Sequence, residues 1–165
     1  MDLGVTEKVA IITGGSDGIG RAAAERLSAE GARVVIVSRS QTDLDQVAAE
    51  INTETGNPVL GIETDVRDES AVESMVQKVA DRWGRIDILI NNAGTSSAAR
   101  FVDMTNDQLE NDFTLKVMGA IYCTRYTLPY LKRFKGPFVT RRLLEVRRPR
   151  PEVNPQHCLG LRVYP

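Results

Sequence analysis

The segment Thr13-Gly14-Gly15-Ser16-Asp17-Gly18-Ile19-Gly20 is where this chain is best equipped for chemistry. It follows the β-branched apolar run Val9-Ala10-Ile11-Ile12 and opens the helical stretch that begins at Arg21. A strand, a glycine-rich turn and a helix start, in that order, form a phosphate-binding device. The glycines let the main chain approach a pyrophosphate, and the helix N-terminus supplies unpaired N–H groups and the positive end of a dipole. Gly14, Ser16, Asp17, Gly18, Ile19 and Gly20 are therefore candidate cofactor-binding residues. A bare surface turn is the alternative, and the flanking strand and helix separate the two.

A second feature lies downstream. Gly84-Arg85-Ile86-Asp87-Ile88-Leu89-Ile90-Asn91-Asn92-Ala93-Gly94 is a buried-strand pattern ending in two amides and two small residues. Together the two segments resemble the short-chain dehydrogenase/reductase family, from about Val5 to Lys135. The resemblance implies a Rossmann-type, doubly wound parallel sheet and hydride transfer between a nicotinamide dinucleotide and a carbonyl or alcohol. It identifies no substrate.

The resemblance also assigns roles. The turn from Gly14 to Gly20 would carry the pyrophosphate, with Thr13 bonding backbone near it. Asp65 and Val66, in Thr64-Asp65-Val66, match positions about the adenine, where the acid accepts from the amino group; a strand-end turn or helix cap is the plainer reading of Asp65. Asn92, Ala93 and Gly94 match positions lining the adenosine ribose and the middle of the cofactor, while Asn91 would tie neighbouring strands together. At the end of the second strand a carboxylate would hold the ribose hydroxyls and repel a 2′-phosphate. This chain has Ser38-Arg39-Ser40 there. Arg39 can pair with the phosphate bidentately and stack on adenine. NADP is thus favoured over NAD, although Arg39 also reads as a solvated surface residue. Asp17 argues the other way, because its charge would lie near the 2′-phosphate.

The catalytic part of the pattern is missing. The family uses a tyrosine with a lysine four residues later, a serine, and an asparagine on the long helix. Tyr122, Tyr126 and Tyr130 are followed at that spacing by Tyr126, Tyr130 and Phe134, and Tyr164 is the penultimate residue. Family spacing puts the serine near Leu143 or Leu144, the tyrosine near His157 and the lysine near Leu161; Lys116 takes the asparagine position. No catalytic residue is assigned, and the chain is expected to be catalytically impaired. A non-catalytic dinucleotide-binding or hetero-association protein is the alternative.

The elements that must position these residues alternate. Val9–Ile12, Arg33–Val37, Val59–Ile62 and Ile86–Ile90 read as strands, apolar throughout as covered parallel strands are. Helices are expected over Gly18–Glu30 with Gly31 as its cap, around Leu44, Val47, Ala48 and Ile51, and from the Asp68 cap through Val72, Met75, Val76, Val79 and Trp83 to Gly84. Thr105 caps a long helix to about Arg133. Leu109, Phe113, Val117, Ile121 and Leu128 are expected to face inward, and Pro129 to kink or fray its last turn. Strands alternating with helices argue a doubly wound parallel sheet.

The chain has 165 residues, is 42% hydrophobic and carries a net charge of −1. That length fits one dinucleotide-binding domain over residues 1–135. Residues 136–165 form an arginine- and proline-rich tail unrelated to the family pattern, with six arginines against two Asp/Glu and five of the seven prolines. The tail is expected not to replace the last strands of the family fold, which would leave Ile86–Ile90 at an edge. This composition change suggests a truncated or altered C-terminus. No apolar run approaches the ~20 residues of a membrane span, no secretion signal is visible, and Cys123 and Cys158 read as free thiols; a cytoplasmic location is expected. His157-Cys158 is too small a cluster for a metal. An acidic body and a tail without interleaved aromatics argue against a nucleic-acid partner. The expected partners are the dinucleotide, a small-molecule substrate of unknown identity, and a like or related chain docking on helix 105–133.

Overall fold

The computed structural model describes residues 4–94, 103–134 and 138–140, the last three by their backbone. Among the described residues, five strands and five α-helices follow in order: β1 (Val9–Thr13), α1 (Gly18–Ala29), β2 (Arg33–Ser38), α2 (Gln41–Thr55), β3 (Val59–Glu63), α3 (Glu69–Trp83), β4 (Ile88–Asn91), α4 (Asn106–Phe113), α5 (Gly119–Phe134) and β5 (Phe138–Thr140). A single π-type turn, Thr114–Met118, joins α4 to α5. The strands lie side by side in the order β3-β2-β1-β4-β5, all parallel.

Residues of β1, β2, β3 and β4 on opposite faces feed two cores. Val9, Ile11, Val35, Val37 and Leu89 pack against Val72, Met75, Val76 and Val79 of α3 and Cys123 and Leu131 of α5. Ile12, Val34 and Ile36 pack against Ala24 of α1 and Leu44, Val47 and Ile51 of α2. The sheet is thus covered on both faces and doubly wound, as the apolar runs require. The caps hold as read: Asp68 accepts from the N–H groups of Ser70 and Ala71, Gly84 closes α3 in a left-handed conformation, and Thr105 forms a capping box with Gln108.

Three expectations change. Val139 pairs with Ile90 in parallel, so β4 lies between β1 and β5 and is not an edge. The remainder of the tail beyond Thr140, with His157, Cys158 and Tyr164, lies outside the described residues. On the long helix the inward stripe is Gly119, Cys123, Thr127 and Leu131, with Leu115 packed beside it. Phe113, expected inside, is 58% exposed, and Val117, Ile121 and Leu128 are half-buried. At Gly119 the approach is close: a Cβ there would stand 2.8 Å from Val66 Cγ2, so this position excludes a side chain. Pro129 does not break α5, which continues to Phe134. Arg125, whose carbonyl Pro129 leaves without its helical donor, is exposed, so water can take the donor's place.

The outer edge of β3 is covered by side chains. Val34 donates to Pro58 O and Thr64 to Ser38 O, so Val59, Gly61 and Glu63 turn their main-chain groups away from β2. Asn52 Oδ1 accepts from Val59 N at 2.7 Å and its Nδ2 reaches Val59 O at 3.5 Å. Gln41 Nε2 donates to Gly61 O at 3.4 Å while its Oε1 accepts from Glu63 N at 3.0 Å. Two amides of α2 thus stand where a sixth strand would pair.

Candidate functional site

The carboxyl ends of β1, β2 and β4 and the segment after β3 open on one cleft of about 350 Å³. The strand order reverses between β1 and β4, and the crevice at such a switch point is where open α/β sheets bind ligands. The turn after β1 forms one wall. Gly14 has φ +66°, a left-handed conformation suited to glycine. Gly20 faces it so closely that a Cβ would stand 2.1 Å from Gly14 O and 2.5 Å from Asn92 Nδ2. Asp17 caps α1, its Oδ1 accepting from Gly18 N at 2.7 Å. The N-terminus of a twelve-residue helix therefore points into the cleft with a carboxylate already on it.

Thr13 locks β1 to the end of β4. Its hydroxyl accepts from the N–H groups of Asn92 and Ala93, each at 3.0 Å. The Asn92 amide donates to Thr13 O at 3.1 Å and Gly14 O at 3.0 Å, so Asn92 ties the two strands as well as lining the cleft. Asn91, expected to tie strands, donates from Nδ2 to Thr124 Oγ1 on α5.

Of the sequence candidates, Gly14, Ser16, Asp17, Gly18, Ile19, Ser38, Arg39, Asp65, Val66, Asn92, Ala93 and Gly94 all line the cleft. Gly20 stands behind them, where it permits the turn to close. Sequence reasoning missed Val37, Thr64 and Leu115. Val37 and Thr64 neighbour the predicted Ser38 and Asp65 at the strand ends, which is the signal that finds them; Leu115 enters from a helix distant in sequence and carries none. Lys116, in the same π-type turn, lays its stem against Gly94 and pairs Nζ with Asp112 at 2.5 Å.

Charge gathers at the far end of the cleft. Arg39 is exposed, and its charge acts on Asp65. Arg67 holds Asp65 through its side chain and its main-chain N–H, and these bonds keep the carboxyl below the usual carboxylate range against the opposing effect of partial burial. The adenine end expected from the sequence thus combines a fixed anion with two arginines. Among the described residues no cluster could hold a metal ion, and no helix is long and apolar enough to cross a membrane.

Residues 8–140 match the family model for short chain dehydrogenases. The chain is 38% identical over 132 residues to meso-2,3-butanediol dehydrogenase of Serratia marcescens, covering 80% of this chain and 51% of that protein. It is 37% identical over 127 residues to an uncharacterized oxidoreductase of Staphylococcus epidermidis, covering 77% and 54%. The structure of L-sorbose reductase from Gluconobacter frateurii, complexed with NADPH and L-sorbose, superposes with a TM-score of 0.79 at 35% identity, covering 84% of this chain and 53% of that one. An alcohol dehydrogenase from Thermococcus sibiricus, complexed with 5-hydroxy-NADP, gives 0.77 at 31%, covering 80% and 56%. The chain spans about half the length of the relatives it matches.

Proposed function

The chain belongs to the short-chain dehydrogenase/reductase family, and from that premise we propose that it binds NADP(H) as the cofactor half of a carbonyl- or alcohol-converting oxidoreductase. One observation carries this reading. The glycine turn, the β2 end at Ser38-Arg39, the Asp65-Val66 segment and Asn92-Ala93-Gly94 converge on one cleft at the sheet's switch point.

In this reading the pyrophosphate lies on the turn from Gly14 to Gly20, against the α1 N-terminus. Arg39 takes the 2′-phosphate, where no carboxylate ends β2 to repel it. Asp65 and Val66 receive the adenine, and Asn92, Ala93 and Gly94 line the ribose. The NADPH and NADP-analogue complexes of the two structural neighbours support the same cofactor class. The cofactor, when bound, supplies the hydride. This chain's residues bind it, orient it and fix the strand ends beneath it.

The domain is residues 1–135, extended in the sheet by β5, and 136–165 is a separate kind of sequence. The chain on its own turns over negligibly, because none of its tyrosines precedes a lysine by four residues. A positioned proton donor contributes about 10²–10⁴ in rate. Non-catalytic dinucleotide binding is the second reading, and the missing tyrosine–lysine pair favours it. Association with a like or related chain through residues 105–133 is part of the proposal, supported by the exposed Phe113. So is a cytoplasmic location, supported by the free Cys123 thiol.

Calorimetric titration with NADPH and NADH tests the cofactor assignment. The expected result is tighter NADPH binding, with the preference falling about tenfold in Arg39→Ala, the scale of a lost charge-assisted pair. Equal affinity for the two cofactors overturns it. NADPH consumption across ketones and aldehydes tests the impairment, and ordinary turnover would overturn that.

A further inference from the structure

We infer that Arg67 is a positioning residue for base recognition: it holds both oxygens of Asp65 from the side away from the cleft, so that the carboxylate is fixed to accept from an exocyclic amino group of the base. The inference rests on the proposed binding of an adenine dinucleotide in the cleft.

Asp65 stands between two spaces. It lines the cleft with Ser38 and Arg39, and it lines an adjoining groove with Arg67, Asp107 and Asn111. Arg67 belongs to the groove side, so its guanidinium grips the carboxylate away from the ligand space. The Arg67 main-chain N–H and Nε each donate to Oδ1 at 3.0 Å; Nε also lies 3.1 Å from Oδ2, and Nη2 donates to Oδ2 at 2.5 Å. Each oxygen thus receives two of these contacts, Nε being shared between them, and the carboxylate is held in one orientation beside the cleft.

A carboxylate so fixed on the cleft wall suits a donor and not an acceptor. The 6-amino group of adenine is a donor. The 6-oxo group of hypoxanthine is an acceptor and would face a fixed anion. A fork-to-carboxylate pair is also rigid, so the acceptor is in place before the base arrives. The same bonds keep Asp65 ionised to lower pH than a free carboxylate.

The test titrates the full chain with NADPH and with its reduced hypoxanthine analogue, in wild type, Arg67→Ala, Arg67→Lys and Asp65→Asn. Wild type is expected to prefer the adenine cofactor by about tenfold or more, the scale of one hydrogen bond to a charged group. Arg67→Ala and Arg67→Lys are both expected to lose most of that preference, because lysine restores the charge and not the fork. The NADPH-over-NADH ratio should not move in either. Arg67→Lys retaining the full adenine preference would show that charge alone suffices and overturn the inference. Equal weakening of both bases in the Arg67 variants would also overturn it, as general charge or stability loss. An unchanged ratio in Asp65→Asn removes the base-reading role of Asp65, and the inference with it. Failure of wild type to bind either dinucleotide sinks the cofactor proposal itself.

Discussion

The side-chain amide of Asn92 donates to the main-chain carbonyl of Gly14 across 3.0 Å, joining the end of β4 to the first residue after β1. Gly20 presses on the same carbonyl from α1. The floor of the cleft is therefore a three-way contact in which the Gly14 carbonyl after β1 meets the Asn92 side chain after β4 and the main chain of α1 at Gly20.

Gly20→Ala is expected to lower stability by about 1–3 kcal/mol, as overpacking does, and to abolish dinucleotide binding, because a Cβ 2.1 Å from a backbone oxygen must push the turn open. Gly56→Ala is the control. It has φ +70° and open space, so it should cost about 1–2 kcal/mol of backbone strain and leave binding intact. Thermal unfolding and cofactor titration read both.

Asp17→Ser is expected to raise NADP(H) affinity severalfold. Serine keeps an oxygen to cap α1 and removes a negative charge from the wall that would meet the phosphates. The gain should shrink as salt rises. Titration calorimetry at two ionic strengths checks it, and unchanged affinity at low salt would contradict it.

Asp87 is expected to make stability fall in acid. Its side chain, on a residue 2% exposed, accepts from Val9 N at 2.9 Å and from Arg85 Nε and Nη2 at 2.8 and 2.7 Å. Burial pushes the carboxyl up, but Arg85, Val9 and Lys8 together outweigh it and leave the pKa below the ordinary value. A depressed folded pKa contributes stability that is present above the unfolded value near 3.9 and is lost as pH falls through the folded one. Asp87→Asn should cost about 2–3 kcal/mol at neutral pH and flatten stability below pH 4, measured by urea unfolding.

Cys123 is expected to resist thiol reagents in the native chain. It is fully buried on α5, and burial pushes its thiol up to about 12. Its labelling should track global unfolding and appear in denaturant. Rapid labelling of the native protein at that position would show that α5 opens locally.

Gln41→Ala with Asn52→Ala is expected to uncover the outward main-chain groups of Val59, Gly61 and Glu63. The pair should cost about 1 kcal/mol per lost bond and increase concentration-dependent association. Sedimentation velocity beside urea unfolding checks both effects.

The sheet was legible because its strands are continuous apolar runs, and the cleft because glycine turns and strand-end polar residues have fixed places in such a sheet. The long helix was misread for a physical reason. Its buried stripe uses Gly119, Cys123 and Thr127, small residues of which Gly119 lies close against Val66, whereas counting apolar bulk selects Phe113, Val117 and Ile121. Ile86 is apolar and fully buried but precedes β4, so the apolar pattern places the strand start two residues early. The Arg67 fork and the amides over β3 were invisible, since both depend on where a side chain points across space.

The amides on β3 give the sheet a direction. Gln41 and Asn52 occupy the positions a parallel neighbour would use on that side, so a further strand joining this sheet has only the β5 flank to add to. The layer grows as a sentence does, from a closed beginning toward its other end, and whatever completes it, from the same chain or another, must read on from β5.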